Sequence, residues 1–111
     1  MDIDKLTLGE LKQINDLFKG QSSKDDSAWE VGKNYLIRTV TMIDTGRLVA
    51  VTAQELVLED AAWIADTGRF SQAVAAAEFG EVEPFPAGRV IVGRGSVIDA
   101  VQINTVQRSQ K

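Results

Sequence analysis

The sequence predicts an α+β protein. We expect an N-terminal helix packed on a bent, mostly antiparallel five-stranded sheet or small barrel, with a short helix inserted between strands three and four. Residues 35–61 and 89–103 carry runs of apolar residues that do not alternate with polar ones. A strand that is apolar on both faces needs cover on both, from a closed barrel, a packed helix or another subunit. The 111 residues are expected to form one domain.

The predicted N-terminal helix, residues 7–19, has signals at both ends. Thr7 is a good N-cap, and Glu10 completes a capping box with it. Gly20 ends the helix after Lys19. One face of the helix carries an apolar stripe: Leu8, Leu11, Ile14, Leu17 and Phe18. The polar residues 21–28 predict a linker to a sheet core at residues 33–103.

The first half of the sheet core is predicted to be three antiparallel strands. A long β-rich segment covers residues 35–43, and the turn signal Asp44-Thr45-Gly46 follows it. Strand two is predicted at residues 47–52. Strand three begins at Glu55 and ends near residues 61–64.

The second half begins with a change of period after Asp66. Asp66 or Thr67 can cap a short helix whose face would consist of Phe70, Val74 and Ala77. Residues 81–88 contain two prolines and predict an extended connection.

Two further strands complete the predicted sheet. Strands four and five are expected at residues 89–92 and 96–103, with a turn at Gly93-Arg94-Gly95. The tail from residue 104 to residue 111 is predicted to be frayed.

Composition argues against most catalytic chemistry. The chain has no cysteine and no histidine, which excludes disulfides, thiolate nucleophiles, Ser-His-Asp triads and the usual zinc sites. We therefore predict a protein that is not an enzyme, with no catalytic residues, no metal site and no cofactor. Glu59 and Asp60 are adjacent on a strand and would face opposite sides, while Asp44, Asp66 and Asp99 are explained by turns, caps and strand edges.

Charge and hydropathy constrain the partners. The net charge is −4, and residues 55–83 hold seven acidic residues against one basic residue, Arg69. Such a face repels phosphate backbones, so nucleic acid is a disfavoured partner. No apolar run approaches the roughly 20 residues of a membrane-spanning helix, and the N-terminus has no secretory-signal pattern. We predict a cytoplasmic protein with no membrane partner.

Residues 32–103 resemble an uncharacterised family of small proteins met in phage and prophage genomes. The resemblance is carried by the segments YLIRTVTM, TGRLVAV, ELVLEDA and VIVGRG, at residues 35–42, 45–51, 55–61 and 90–95. It implies a phage-encoded accessory protein in the cytoplasm of a bacterial host. It implies no activity.

A second resemblance is to the Sm-like pattern of Sm, LSm and Hfq proteins. It rests on the predicted helix, on Gly46 after the first strand, on residues 56–60 as strand three, and on Arg94-Gly95 before the last strand. It implies a strongly bent barrel that assembles into a ring through strand edges. RNA-site residues carry over only onto Arg94 and Gly95, because Ala53-Gln54 replaces the usual Asp and Asn.

The candidate ligand-binding residues are Arg94, Gly95, Arg38 and Gln54. The rigid guanidinium fork of Arg94 suits phosphate or carboxylate. Three function classes stay open. The first is a self-associating module that holds a small anionic ligand, with Arg94 and Arg38, or a protein partner. The second is an Sm-like RNA-binding ring, and the third is a structural or host-protein-interacting factor without a small ligand.

Overall fold

The computed structural model of this protein describes residues 28–111. The predicted N-terminal helix at residues 7–19, and nearly all of the predicted linker at residues 21–28, lie outside the described residues.

The described residues form six strands and one helix, which confirms the predicted α+β class. The strands are β1 (Asn34–Thr39), β2 (Ile43–Val51), β3 (Glu55–Asp66), β4 (Glu81–Pro84), β5 (Arg89–Gly93) and β6 (Val97–Gln102). The helix α1 (Phe70–Ala76) lies between β3 and β4, and a 3-10 helix at Arg94–Ser96 joins β5 to β6. There are six strands rather than five because residues 81–84, predicted as a connection, pair with β3.

All strand pairs in the sheet are antiparallel. The strand order is β4-β3-β2-β1-β6, and β5 also pairs with β3. One edge of β3 therefore carries two partners, since residues 55–59 pair with β5 and residues 62–66 pair with β4. The other edge of β3 pairs with β2.

The sheet is open, so the predicted small barrel is wrong. Within residues 28–111 no ladder joins β5 to β6. The reason lies in the 3-10 helix between them, which bonds to two turns instead. The Arg94 N–H donates to the Gln54 carbonyl at 2.9 Å, and the Ser96 carbonyl accepts from the Val40 N–H at 3.0 Å. The sheet is thus bent enough to bring the β1–β2 and β2–β3 turns to one short segment.

Both faces of the sheet are covered by this chain itself. Adjacent residues on β1, Leu36 and Ile37, are 1% and 0% exposed although they point to opposite faces. Leu36 belongs to a cluster beneath α1 with Ala62, Ile64, Ala73, Ala77, Phe79, Val82 and Ile103. Ile37 belongs to a cluster inside the bend with Tyr35, Leu48, Leu56, Leu58, Ala61 and Val92. The non-alternating pattern therefore reflects a helix on one face and the curled sheet on the other.

A β-bulge at Asp60 changes which residues of β3 face the inside of the bend. Arg47 lies opposite Glu59 and Thr45 opposite Ala62, so β3 contains one extra residue at this point. Asp60 takes the left-handed conformation, with φ 52°. Gly46, in the middle of β2, lies in close contact with β3 here. A Cβ on Gly46 would lie 3.0 Å from the Leu58 Cβ.

The turn between β1 and β2 lies earlier than predicted. Residues 44–46, predicted as a turn, are buried residues of β2, and the chain reverses at residues 40–42. This turn is held by Thr39, whose hydroxyl accepts from the Met42 N–H at 2.9 Å. Gly46 serves the close approach to β3 rather than a turn.

The helix α1 differs from the prediction in its cap and in its buried face. It begins after Arg69, without a side-chain cap. Ala73 in the helix and Ala77, which follows it as the C-cap, are buried, whereas Phe70 is exposed and lies against the guanidinium of Arg38. The small alanine side chains let this short helix lie close on the sheet.

The C-terminal tail, expected to be frayed, is hydrogen-bonded to the sheet. Lys111 and Val82 exchange two backbone hydrogen bonds of 2.9 Å each. Arg108 donates to the carbonyl oxygens of Ala61 and Phe85, at 3.0 and 3.2 Å. The tail therefore covers the outer edge of β4.

We expect Gly46→Ala to lower the free energy of unfolding by about 1–3 kcal/mol, because the added methyl would lie too close to Leu58 where β2 pairs with β3. Urea denaturation measures this difference. Gly93→Ala is the matched control, since a Cβ there meets no atom within 4 Å. A Gly46→Ala variant as stable as wild type would contradict the close contact between Gly46 and β3.

Candidate functional site

Three of the four predicted ligand residues meet at the β2–β3 turn. Arg94 donates from Nη1 to the Thr52 carbonyl at 2.6 Å, and its backbone N–H bonds to Gln54. Gly95 lies next to Arg94 in the 3-10 helix. The structure thus places Arg94, Gly95 and Gln54 together, with the arginine fastening the turn.

Arg38, the fourth predicted residue, is engaged elsewhere. It pairs with Asp99 across β1 and β6, with one contact from Nε to Oδ1 of 2.6 Å. Its guanidinium also lies 4.8 Å from the centre of the Phe70 ring. The hydrogen bond to Asp99 raises the pKa of Arg38, and the same bond lowers the pKa of Asp99. This arginine therefore carries its own counter-ion.

The acidic stretch at residues 55–83 is partly neutralised by arginines from outside it. Arg47 contacts Glu59 at 3.0 Å and Asp60 at 2.6 Å. Arg89 contacts Glu59 at 3.3 Å, and Arg108 lies 3.9 Å from Asp60. These partly exposed pairs surround the bulge. They reduce the negative charge that the sequence places on this part of β3.

The sequence analysis missed an apolar groove on the concave side of the sheet. Its volume is about 390 Å³, and Met42, Asp44, Trp63, Glu83, Pro84, Phe85 and Pro86 line it. The sheet register builds it, because Asp44 of β2 lies opposite Trp63 of β3, and Trp63 lies opposite Glu83 of β4. We call this feature the Trp63 groove.

Large apolar side chains form the walls of the Trp63 groove. Trp63 is 39% exposed and Met42 is 50% exposed, although both lie beside buried strand residues. The Pro84-Phe85-Pro86 wall is held in place from below. The Phe85 N–H donates to the Ala61 carbonyl at 2.9 Å, and Arg108 donates to the Phe85 carbonyl. A rigid apolar wall of this kind suits an apolar or amphipathic ligand.

Asp44 is the buried polar group of this groove. It is 9% exposed, and its carboxylate accepts no hydrogen bond from any residue between 28 and 111. Burial raises its pKa, because removal from water disfavours the charged form. A carboxylate kept in such a place without a partner is typical of a functional site.

A second depression adjoins the first and shares Met42 with it. It is lined by Arg38, Thr39, Val40, Thr41, Met42, Ile43 and Ile98, and its volume is about 370 Å³. Val40 and Ile98 are both strongly exposed. The two depressions place several exposed apolar side chains around the β1–β2 turn.

Sequence reasoning missed Asp44 because it treated residues 44–46 as a turn. The available signal was the position of the aspartate between Ile43 and a long apolar strand. Trp63 was not singled out as a site residue, and it is partly exposed to solvent.

Residues 28–111 contain no cluster of three or more acidic, cysteine or histidine side chains arranged to hold a metal ion. No helix in this part of the chain has the length and apolarity to span a membrane.

Comparison with protein-family models, curated proteins and solved structures finds no match to this chain. The phage-family and Sm-like resemblances therefore stay predictions.

We expect Asp44→Asn to raise the free energy of unfolding at neutral pH, by about 0.5–2 kcal/mol. A carboxylate with a raised folded pKa destabilises the fold once the pH exceeds the unfolded pKa, and fully so above the folded pKa. The advantage of the variant should therefore shrink as the pH falls through that window. Denaturation at several pH values measures it.

Asp99→Asn is the matched control for this measurement. The lowered pKa of Asp99 gives the opposite sign, so this variant should be slightly less stable than wild type at neutral pH. An Asp44→Asn variant less stable than wild type at neutral pH would mean that Asp44 has an internal partner.

Proposed function

We propose that this protein is a non-enzymatic binding module that recognises a segment of a partner protein in the Trp63 groove. The observation that carries this proposal is the exposed apolar wall around Trp63 with a buried carboxylate at its base. Partly exposed aromatic residues beside a preformed depression are typical binding anchors. The absence of histidine and cysteine from the sequence supports a role without catalysis.

The geometry gives less support to a small anionic ligand or to RNA. Both acidic side chains of the groove, Asp44 and Glu83, would repel an anion. Arg38 is paired with Asp99, and Arg94 fastens the β2–β3 turn. A protein partner is therefore the function that these residues favour. The phage origin stays a prediction from the resemblance.

We also propose that the protein self-associates through β5 and β6. Among the described residues, β5 pairs only with β3, and β6 pairs only with β1, so each strand has an unpaired edge. Each also exposes an isoleucine, Ile91 at 62% and Ile98 at 66%. Unpaired strand edges with apolar side chains readily pair with another chain.

Random peptides displayed on phage and selected on the full chain should yield binders that need the groove. Trp63→Ser should weaken these binders by about 10-fold or more, since loss of an aromatic anchor costs about 2 kcal/mol. Fluorescence anisotropy measures the affinities. Val31→Ser replaces another exposed apolar residue, one outside the groove, and this variant should bind the peptides like wild type. Selected peptides that bind Trp63→Ser unchanged, or a selection without binders, would contradict the proposal.

Sedimentation velocity at micromolar concentration should show an oligomer of the full chain. The double variant Ile91→Asp and Ile98→Asp should sediment as a monomer with an unchanged circular dichroism spectrum, because buried like charges prevent edge pairing. Val31→Asp is the control and should leave the oligomer intact. A wild-type protein that is monomeric under these conditions would overturn self-association.

A further inference from the structure

We infer that the Trp63 groove receives one basic side chain, lysine or arginine, from the partner segment, flanked by apolar residues of that segment. This inference rests on the proposed function of the groove and adds the chemistry of its ligand. It follows from the juxtaposition of Asp44, Trp63 and Glu83 in one row across β2, β3 and β4.

The position of Asp44 calls for a cation. Asp44 as a whole residue is 9% exposed, it lines the groove, and no described residue donates to its carboxylate. A buried carboxylate is costly unless a charged hydrogen-bond donor compensates it. A ligand that carries such a donor would find the acceptor already in place and partly removed from water.

Trp63 lies next to Asp44 in the sheet register and adds a second attraction for a cation. The face of an indole ring attracts ammonium and guanidinium groups, most strongly where water is partly excluded. Glu83, on the other side of Trp63, adds negative charge at the rim and accepts a hydrogen bond from Gln110 at 3.2 Å. The row therefore presents acceptor, ring and acceptor in sequence.

The apolar walls suit the stem of a long basic side chain. Lysine and arginine bury their methylene groups against apolar surface while the charged end finds a polar partner. Met42 and the Pro84-Phe85-Pro86 wall provide that surface. The same walls would contact the apolar neighbours of the basic residue, which is why we assign the cation to a protein segment and not to a free amine.

The charged groups around the groove support this polarity. Glu83 on β4 and Asp44 on β2 are the titratable side chains that line it. Arg108 lies behind the wall, where its guanidinium donates to the Phe85 and Ala61 carbonyls and contacts Asp60. Arg108 is thus already engaged with other acceptors, and no cationic side chain of residues 28–111 lines the groove.

Three peptides of one length test the inference with the full chain. The first has a central lysine between leucine and proline residues, the second has norleucine in place of lysine, and the third has glutamate. The lysine peptide should shift the Trp63 indole resonance in NMR and bind about 10-fold more tightly than the norleucine peptide. The glutamate peptide should bind more weakly than both.

The variant Asp44→Asn should remove the preference for lysine over norleucine while both peptides still shift Trp63. Glu83→Gln, which alters the exposed rim, should reduce the preference only slightly. Equal affinity of the lysine and norleucine peptides for wild type would overturn the cation inference and leave the groove as an apolar docking site. If no peptide shifts Trp63, the proposed function of the groove fails as well.

A photo-crosslinking residue at Met42 of the full chain distinguishes the occupants. Crosslinks to the lysine peptide, which excess unlabelled lysine peptide suppresses and butylamine does not, would support the inference. Crosslinks to residues 1–27 of the same chain, or to a second copy, that the peptide fails to displace would assign the groove to that occupant and overturn it. Suppression by butylamine as effective as by the peptide would assign it to a free amine.

Discussion

The close contact between β2 and β3 at Gly46 is the constraint on which the concave side of the sheet depends. The extra residue at Asp60 shifts by one the alternation of inward-facing and outward-facing side chains along β3 at this contact. Leu56 and Leu58 face the inside of the bend before it, and Ala61 faces the inside after it. Without the bulge, a strict alternation would turn Trp63 to the helix side. The groove exists because one residue of β3 is left over.

The same bulge concentrates the charged residues of the core strands. Arg47 and Arg108 approach Asp60 from two sides, and Arg108 also fixes the wall of the groove through its bonds to carbonyl groups. Since these pairs are partly exposed, each contributes little to stability by itself. These contacts instead hold three parts of the structure together: the bulge at Asp60, the wall of the groove and the C-terminal tail.

The strand-rich class, the short helix after β3 and the cover on both sheet faces could be predicted from the apolar pattern, because burial requires it of any fold. The position of the first turn could not. Asp44-Thr45-Gly46 has ideal turn chemistry, yet tertiary packing needs the glycine inside a strand and the turn four residues earlier. This error also kept Asp44 out of the predicted site, because an aspartate assigned to a turn is not expected at the base of a groove.

The structure brings Arg94, Gly95 and Gln54 together, a placement that the sequence analysis did not predict, and Arg94 donates to the Thr52 carbonyl. Contacts between residues far apart in the sequence cannot be predicted from residue types alone.

The pairing of Lys111 with Val82 has a further consequence for the handling of this protein. A purification tag or fluorescent fusion placed directly after residue 111 would start at the margin of the sheet, beside β4. Such a fusion needs a flexible spacer if the shape of that margin is to be preserved.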